Sequence, residues 1–422
     1  MSNFTIYIPC FIKKFCFRGC WAIIIASGST DPKFLFFNLK YFRRIKMKKF
    51  LVMLLAAMMV FSFAACGGGG GDDGAAADDT MKVAMVTDYG DITDQSFNQT
   101  TYEACKAFCE SNGIEFTYKK PASDADADRE SSMEEAIEEG YNVIVMPGYA
   151  FAQAIYDVAP LYPDIKFVAL DVSEGDLTAY GDREFDGPNV FSAVYQEELA
   201  GYMAGYAAVK LGYTKLGFLG GMAVPAVQRY GHGFVQGADA AAAELGKTDV
   251  ELKYVYGGQF FGDADITAAM DTWYGSGTEV VFACGGGIFT SAAEAAAKTG
   301  GKVIGVDVDQ AGTIDGAYGE GMTVTSAMKG LGATVNTLLG AIKDGNWGDY
   351  AGKIENLGLV SEVPSENYVQ LPESTQWADG FQQADYETLV AELFNGTRTV
   401  SADIEAIPAT TAIKVDDQGA IK

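Results

Sequence analysis

The chain has 422 residues, too many for one compact core, so two lobes are expected once segments outside the fold are set aside. Its formal charge of −26 understates the acidity of the folded part: residues 1–66 hold ten Lys and Arg against one acid, Asp31, and the remainder carries 20 basic and 55 acidic residues, a net −35. Such a surface repels nucleic acid and anionic headgroups and argues against a ligand with several phosphates.

Residues 1–46 mix aromatics, isolated cysteines and basic residues without helical or strand periodicity. They precede MKKFLVMLLAAMMVFSFAAC, which starts at Met47 and has the charged start, apolar middle and small-residue end of a secretory signal over 47–65. The apolar stretch is too short and wrongly flanked for a stable membrane span. Met47 is therefore read as the start of the translated protein, with 1–46 as a non-native upstream extension. The Ala64-Ala65-Cys66 ending resembles a bacterial lipobox, which makes Cys66 the lipidated first residue of the mature chain. The Gly- and Asp-rich segment 66–80 that follows is a flexible tether, so the protein is expected outside the cytoplasm, anchored to the cell membrane without spanning it.

From Met81 apolar runs alternate with helical patterns. Strands are expected at 82–87, 114–119, 142–146, 166–171 and 189–194, and again at 215–219, 251–256, 279–284 and 302–307. Helices are expected at 98–111, 131–139, 196–211, 227–245, 263–274 and 289–299. This alternation means parallel sheets built from βαβ units, and two such series mean two Rossmann-like lobes. Beyond Asp307 the pattern is less regular: strands at 323–328 and 354–359, helices at 332–343 and 386–394, and a poorly packed tail from Thr397. The expected lobes are 81–194 with 310–345, and 195–309 with 346–400, leaving 401–422 as tail.

Little in the chain favours an enzyme. The single histidine, His232, lies in RYGHGF with no G-x-S-x-G elbow, and a lone His among aromatics is usually structural. No G-x-G-x-x-G follows the first strand and no G-x-x-x-x-G-K-[ST] occurs, so no nucleotide cofactor is implied. Cys105 and Cys109 lack a second pair for a metal site and read, like Cys284, as small buried hydrophobes.

What does recur is a polar residue or glycine at successive strand ends: Asp88, Gly148, Asp171, Gly285 to Gly287, Asp307 with Asp309, and Lys329. In open α/β sheets ligands bind beyond the carboxyl ends of the strands, so two lobes meeting there form a ring of carboxylates. Carboxylates accept hydrogen bonds well and suit a neutral ligand rich in hydroxyls, while Phe97, Phe260 and Phe261 supply rings for stacking. Asp91 and Asp94, in the turn VTDYGDITDQSFN, read as turn and cap residues.

The blocks VTDYGDITDQSFNQ, VQRYGHGFVQGA, VVFACGGG, VIGVDVDQ and TSAMKG resemble, in the same order, those of the basic membrane protein family, the Bmp/Med-type substrate-binding lipoproteins of nucleoside ABC importers. The resemblance spans Met81 to about Phe394 and implies a type I periplasmic-binding-protein fold, two α/β lobes joined by three crossovers around an interlobe cleft. It implies a purine nucleoside (guanosine, inosine or adenosine) as ligand, ABC permease subunits as partners and no cofactor. By the same resemblance Asp88, Asn98 and Asp171 would meet the base and Phe97 would stack on it. Phe260 or Phe261, with Phe261 preferred for its spacing to Asp263, would close the other face, and Asp307 and Lys329 would hold the ribose near Gly285. A receptor for a free sugar or other polyol is the nearest alternative. A nucleoside hydrolase or phosphorylase would need its metal or phosphate site in the Asp88 to Asp94 turn, and a transcription regulator would need a basic helix-turn-helix that the mature part lacks.

Overall fold

The computed structural model describes residues 80–88, 90–179 and 186–422. The expected signal, the lipidation site Cys66 and nearly all of the tether lie outside the described residues. No helix among the described residues is long and apolar enough to cross a membrane.

The first lobe begins with β1 (Lys82–Val86), α1 (Phe97–Asn112), β2 (Glu115–Lys119), α2 (Asp126–Glu138) and β3 (Val143–Pro147). It continues with α3 (Ala152–Val158), β4 (Lys166–Leu170), α4 (Glu174–Thr178) and β5 (Val190–Tyr195). β3 reads VIVMP and is buried at every position, as befits a strand covered by helices on both faces. The Asp94 carboxylate starts α1 by accepting the backbone N–H groups of Ser96, Asn98 and Gln99, three donors that the first turn cannot satisfy itself.

The second lobe runs through α5 (Glu197–Lys210), β6 (Lys215–Gly220), α6 (Pro225–Glu244), β7 (Val250–Tyr256) and α7 (Ala264–Gly275). β8 (Val280–Cys284), α8 (Phe289–Thr299), β9 (Lys302–Asp307), α9 (Ala311–Tyr318) and β10 (Thr323–Lys329) follow. The chain then returns to the first lobe with α10 (Leu331–Lys343) and β11 (Ile354–Leu357) before ending in the second with β12 (Val369–Gln370), α11 (Gln383–Phe394) and β13 (Ile413–Ala420). The sheets have orders β11-β5-β4-β3-β1-β2 and β12-β10-β9-β8-β6-β7-β13. Every pairing is parallel except β12 on β10.

Lobe membership differs from the expectation after residue 309. Residues 310–345 do not all join the first lobe, because β10 pairs with β9 in the second sheet; only from α10, which packs on α1, does the chain belong to the first lobe. Nor does 346–400 lie wholly in the second lobe, since β11 extends the first sheet beside β5. The segment 401–422 is not a loose tail. Asp239 on α6 accepts the backbone N–H groups of Thr411, Ala412 and Ile413, and this delivers β13 onto the free edge of β7. His232, 2% exposed, meets the Asp403 carbonyl through Nδ1 and so ties the same segment to α6. Cys105, Cys109 and Cys284 are buried thiols.

Three crossovers join the lobes, after Tyr195, after Lys329 and between Leu357 and Val369. They run side by side, with Gln196 donating to the Leu357 carbonyl, Tyr368 to that of Gly358, and Gly330 to that of Tyr368. Beside them α5 and α6 pack with almost no space between their backbones. A Cβ on Gly201, Gly205, Gly233 or Gly237 would lie 2.0 to 2.1 Å from a carbonyl oxygen of the facing helix. This approach fixes how the first turns of the two helices face each other.

Candidate functional site

A cavity of about 920 Å³ lies where the carboxyl ends of the two sheets face each other. The structure brings all nine sequence-selected ligand residues to its wall: Asp88, Phe97, Asn98 and Asp171 from the first lobe, and Phe260, Phe261, Gly285, Asp307 and Lys329 from the second. Asp171 and Asp307 directly follow or end β4 and β9 with φ of 62° and 65°, and Gln95, also on the wall, has φ of 57°. These are the described non-glycine residues with positive φ. Backbone strain of this kind is kept where it aims a side chain, and here it turns two carboxylates toward a common centre.

That centre is Lys329, at the second crossover. Its Nζ lies 2.5 Å from Asp171 Oδ2, 3.4 Å from Glu197 Oε1 and 3.7 Å from Asp307 Oδ1, and 4.6 Å from the centre of the Phe97 ring. Burial works against its charge, but the three carboxylates outweigh burial and hold the ammonium well above the ordinary lysine value. Burial, opposed by Lys329 and reinforced by Glu197 and Asp307, pushes Asp171 up to about 6. Asp171 Oδ1 has no hydrogen-bond partner among the described residues.

Contacts bridge the lobes at this level. Besides Lys329 to Asp171, Ser96 Oγ donates to Asp307 Oδ2 at 2.6 Å and Gln310 Nε2 to the Gln95 carbonyl at 3.0 Å. Deeper in the first lobe Asp88 accepts from Gly90 N–H at 2.6 Å and from Asn98 Nδ2 at 3.3 Å. On the opposite wall the Phe260 ring lies against Gly221 and Gly285. At Gly285, with φ of 152°, a Cβ would approach that ring to 2.9 Å. Phe261 remains 62% exposed. Asp91 is also exposed, paired with Lys120, and Asp94 serves as the cap of α1.

Sequence reasoning missed Glu197, Arg229, Ser96 and Gln310. Glu197 is fully buried and takes Arg229 Nε at 2.6 Å, so the N-terminal parts of α5 and α6 add an ion pair to the cluster around Lys329. The signal was faint: an acidic residue in the first turn of a helix reads as an ordinary dipole partner. Among the described residues no group of three or more His, Cys, Asp or Glu is placed to hold a metal ion.

Glu198, beside Glu197, is 5% exposed with Oε2 unpartnered among the described residues, and burial pushes its carboxyl from 4.5 up to about 7. The folded state thus holds this proton more tightly than the unfolded chain, and stability falls as pH rises from about 4.5 to about 7. Glu198→Gln is expected to flatten that fall, so that thermal melts of variant and wild type diverge between pH 5 and pH 8, with the variant higher at pH 8. Parallel curves would show that Glu198 does not titrate in this window.

The sequence profile described as ABC transporter substrate-binding protein PnrA-like matches residues 81–363, two thirds of the chain. The chain belongs to this family. Substrate-binding proteins of this kind take a small molecule and pass it to an ABC permease. The nucleoside-binding protein BmpA of an ABC transporter of Lactococcus lactis subsp. cremoris is 30% identical over 284 residues, covering 63% of this chain and 76% of that protein. An uncharacterized lipoprotein of Pyrococcus abyssi is 27% identical over 286 residues, covering 66% and 67%. A solved ABC transporter solute-binding protein from Aeropyrum pernix shares the fold with a TM-score of 0.58 at 23% identity, covering 74% of this chain and 85% of that one. Two lobes with parallel sheets and an interlobe cleft are the type I periplasmic-binding-protein architecture.

Proposed function

We propose that this family member binds a purine nucleoside between its lobes and delivers it to the permease while anchored through a lipidated Cys66. The observation that carries the reading is the pairing, in one cavity, of a buried Lys329–carboxylate cluster with aromatic rings from both lobes. Asp307 and Lys329 offer an acceptor and a donor for vicinal ribose hydroxyls. Phe97 forms one wall for the base, and Phe261, the more exposed of the adjacent pair, is the ring that folds over it. Asp88 and Asn98 meet the polar edge of the base, with Asp171 between base and sugar. The name of the Lactococcus relative supports the same ligand class. Because the ligand touches both lobes, it favours the closed arrangement by its extra contacts there.

Calorimetry with guanosine, inosine, adenosine and free ribose tests the reading. Micromolar or tighter binding of at least one nucleoside, with ribose far weaker, is expected. Ribose binding without nucleoside binding would overturn it in favour of a sugar receptor, and release of free base during incubation would point to a hydrolase. Asp88→Ala or Phe97→Ala should weaken nucleoside binding at least about tenfold, the scale of one charged hydrogen bond or stack, whereas Asp91→Ala should change little.

A further inference from the structure

Seven buried side-chain polar atoms lack a hydrogen-bond partner among the described residues, and four of them belong to residues on the first-lobe wall of the cavity: Asn98 Oδ1, Asp171 Oδ1, and Nε and Nη1 of Arg129. Arg129 stands out. It sits at the start of α2, is 5% exposed, and among the described residues its guanidinium has one hydrogen bond, Nη2 to Asp126 Oδ1 at 3.0 Å. A guanidinium carries five N–H donors, and withdrawing it from water without acceptors is unfavourable. Buried orphans of this kind call for a partner that the described residues do not supply.

The surroundings restrict what that ligand presents. Asp88, Asp124 and Asp126 line the same cavity, so an anionic group would meet more negative than positive charge on this wall. A neutral carbonyl or ring nitrogen suits it better. Taken with the nucleoside reading, on which this inference rests, a donor from Arg129 and an acceptor from Asp88 on the same wall suit a base edge that carries both an acceptor and a donor. A 6-oxopurine has that edge, with O6 and N7 accepting and N1–H donating, and Arg to O6 and N7 is the commonest specific protein contact to guanine. Adenine reverses it, setting an amino donor against the guanidinium and a lone pair against the carboxylate.

We infer that Arg129 is a specificity-determining residue that makes the site selective for 6-oxopurine nucleosides, guanosine and inosine, over adenosine. The test is calorimetry of the intact lobed protein, wild type, Arg129→Met and Arg129→Lys, with each of the three nucleosides. Wild type is expected to bind guanosine and inosine at least tenfold more tightly than adenosine. Arg129→Met should bring that ratio to within about twofold of unity, and Arg129→Lys should leave an intermediate ratio, because it restores a cationic donor without the planar fork. A purely structural role would weaken all three nucleosides together and leave the ratio intact. Equal wild-type affinity for adenosine, or an unchanged ratio in Arg129→Met, would overturn the assignment while leaving a nucleoside receptor standing. If the Met variant does not fold, Arg129→Lys decides, and a ratio unchanged from wild type overturns the assignment. Failure of all three nucleosides to bind would remove the functional reading itself.

Discussion

Lys329→Met is expected to lower nucleoside affinity at least a hundredfold and to destabilise the ligand-free protein by about 3–5 kcal/mol, the usual effect of removing one partner from a buried ion cluster. The variant leaves Asp171, Glu197 and Asp307 facing one another, with Arg229 still bound to Glu197. Methionine fills the space but cannot compensate that charge. The loss should therefore depend on pH in a definite direction. Carboxylates deprived of their cation take up protons more readily, and Asp171 already sits near 6, so the stability gap to wild type should narrow as pH falls from 8 toward 5. Chemical denaturation at several pH values measures this; a gap independent of pH would mean that the cluster is not held together by charge.

Gly237→Ala is the second large effect. On an exposed helix the change would stabilise by up to about 1 kcal/mol through helix propensity. Here the added Cβ would fall 2.0 Å from the Tyr202 carbonyl oxygen, so α5 and α6 must separate, and a net loss of about 2–4 kcal/mol is expected from overpacking against backbone. Gly340→Ala, where a Cβ meets open space on α10, is the matched control and should be neutral or stabilising. The packing change also reaches the site, because Glu197 and Arg229 ride on the N-terminal parts of the separated helices. Thermal melts of the two variants suffice, and equal melting temperatures would contradict the close helix contact.

Much of this architecture can be read from residue pattern because the strands are buried on both faces and appear as uninterrupted apolar runs, VIVMP and VVFAC among them. The misplacements share a cause. Local pattern identifies β10 and β11 as strands but not the sheet each one joins, which depends on pairings with β9 and β5 made in three dimensions. β13 reads IKVDDQGA, too polar to signal a strand, and is held by the β7 edge and by Asp239. The site divides in the same way. Asp88, Asp171, Asp307 and Lys329 stand at strand ends, where topology alone marks them. Glu197, Arg229 and Arg129 lie near helix N-termini, and only burial and partners distinguish them from surface charges.

A crystal structure of the guanosine complex tests the central claim most directly. The base is expected against Phe97 in the first lobe, its polar edge toward Asp88 and Asn98, with the ribose hydroxyls on Asp307 and Lys329 of the second lobe. A nucleoside bound outside the interlobe cavity, or one inside it that touches neither Lys329 nor Asp307, would contradict it.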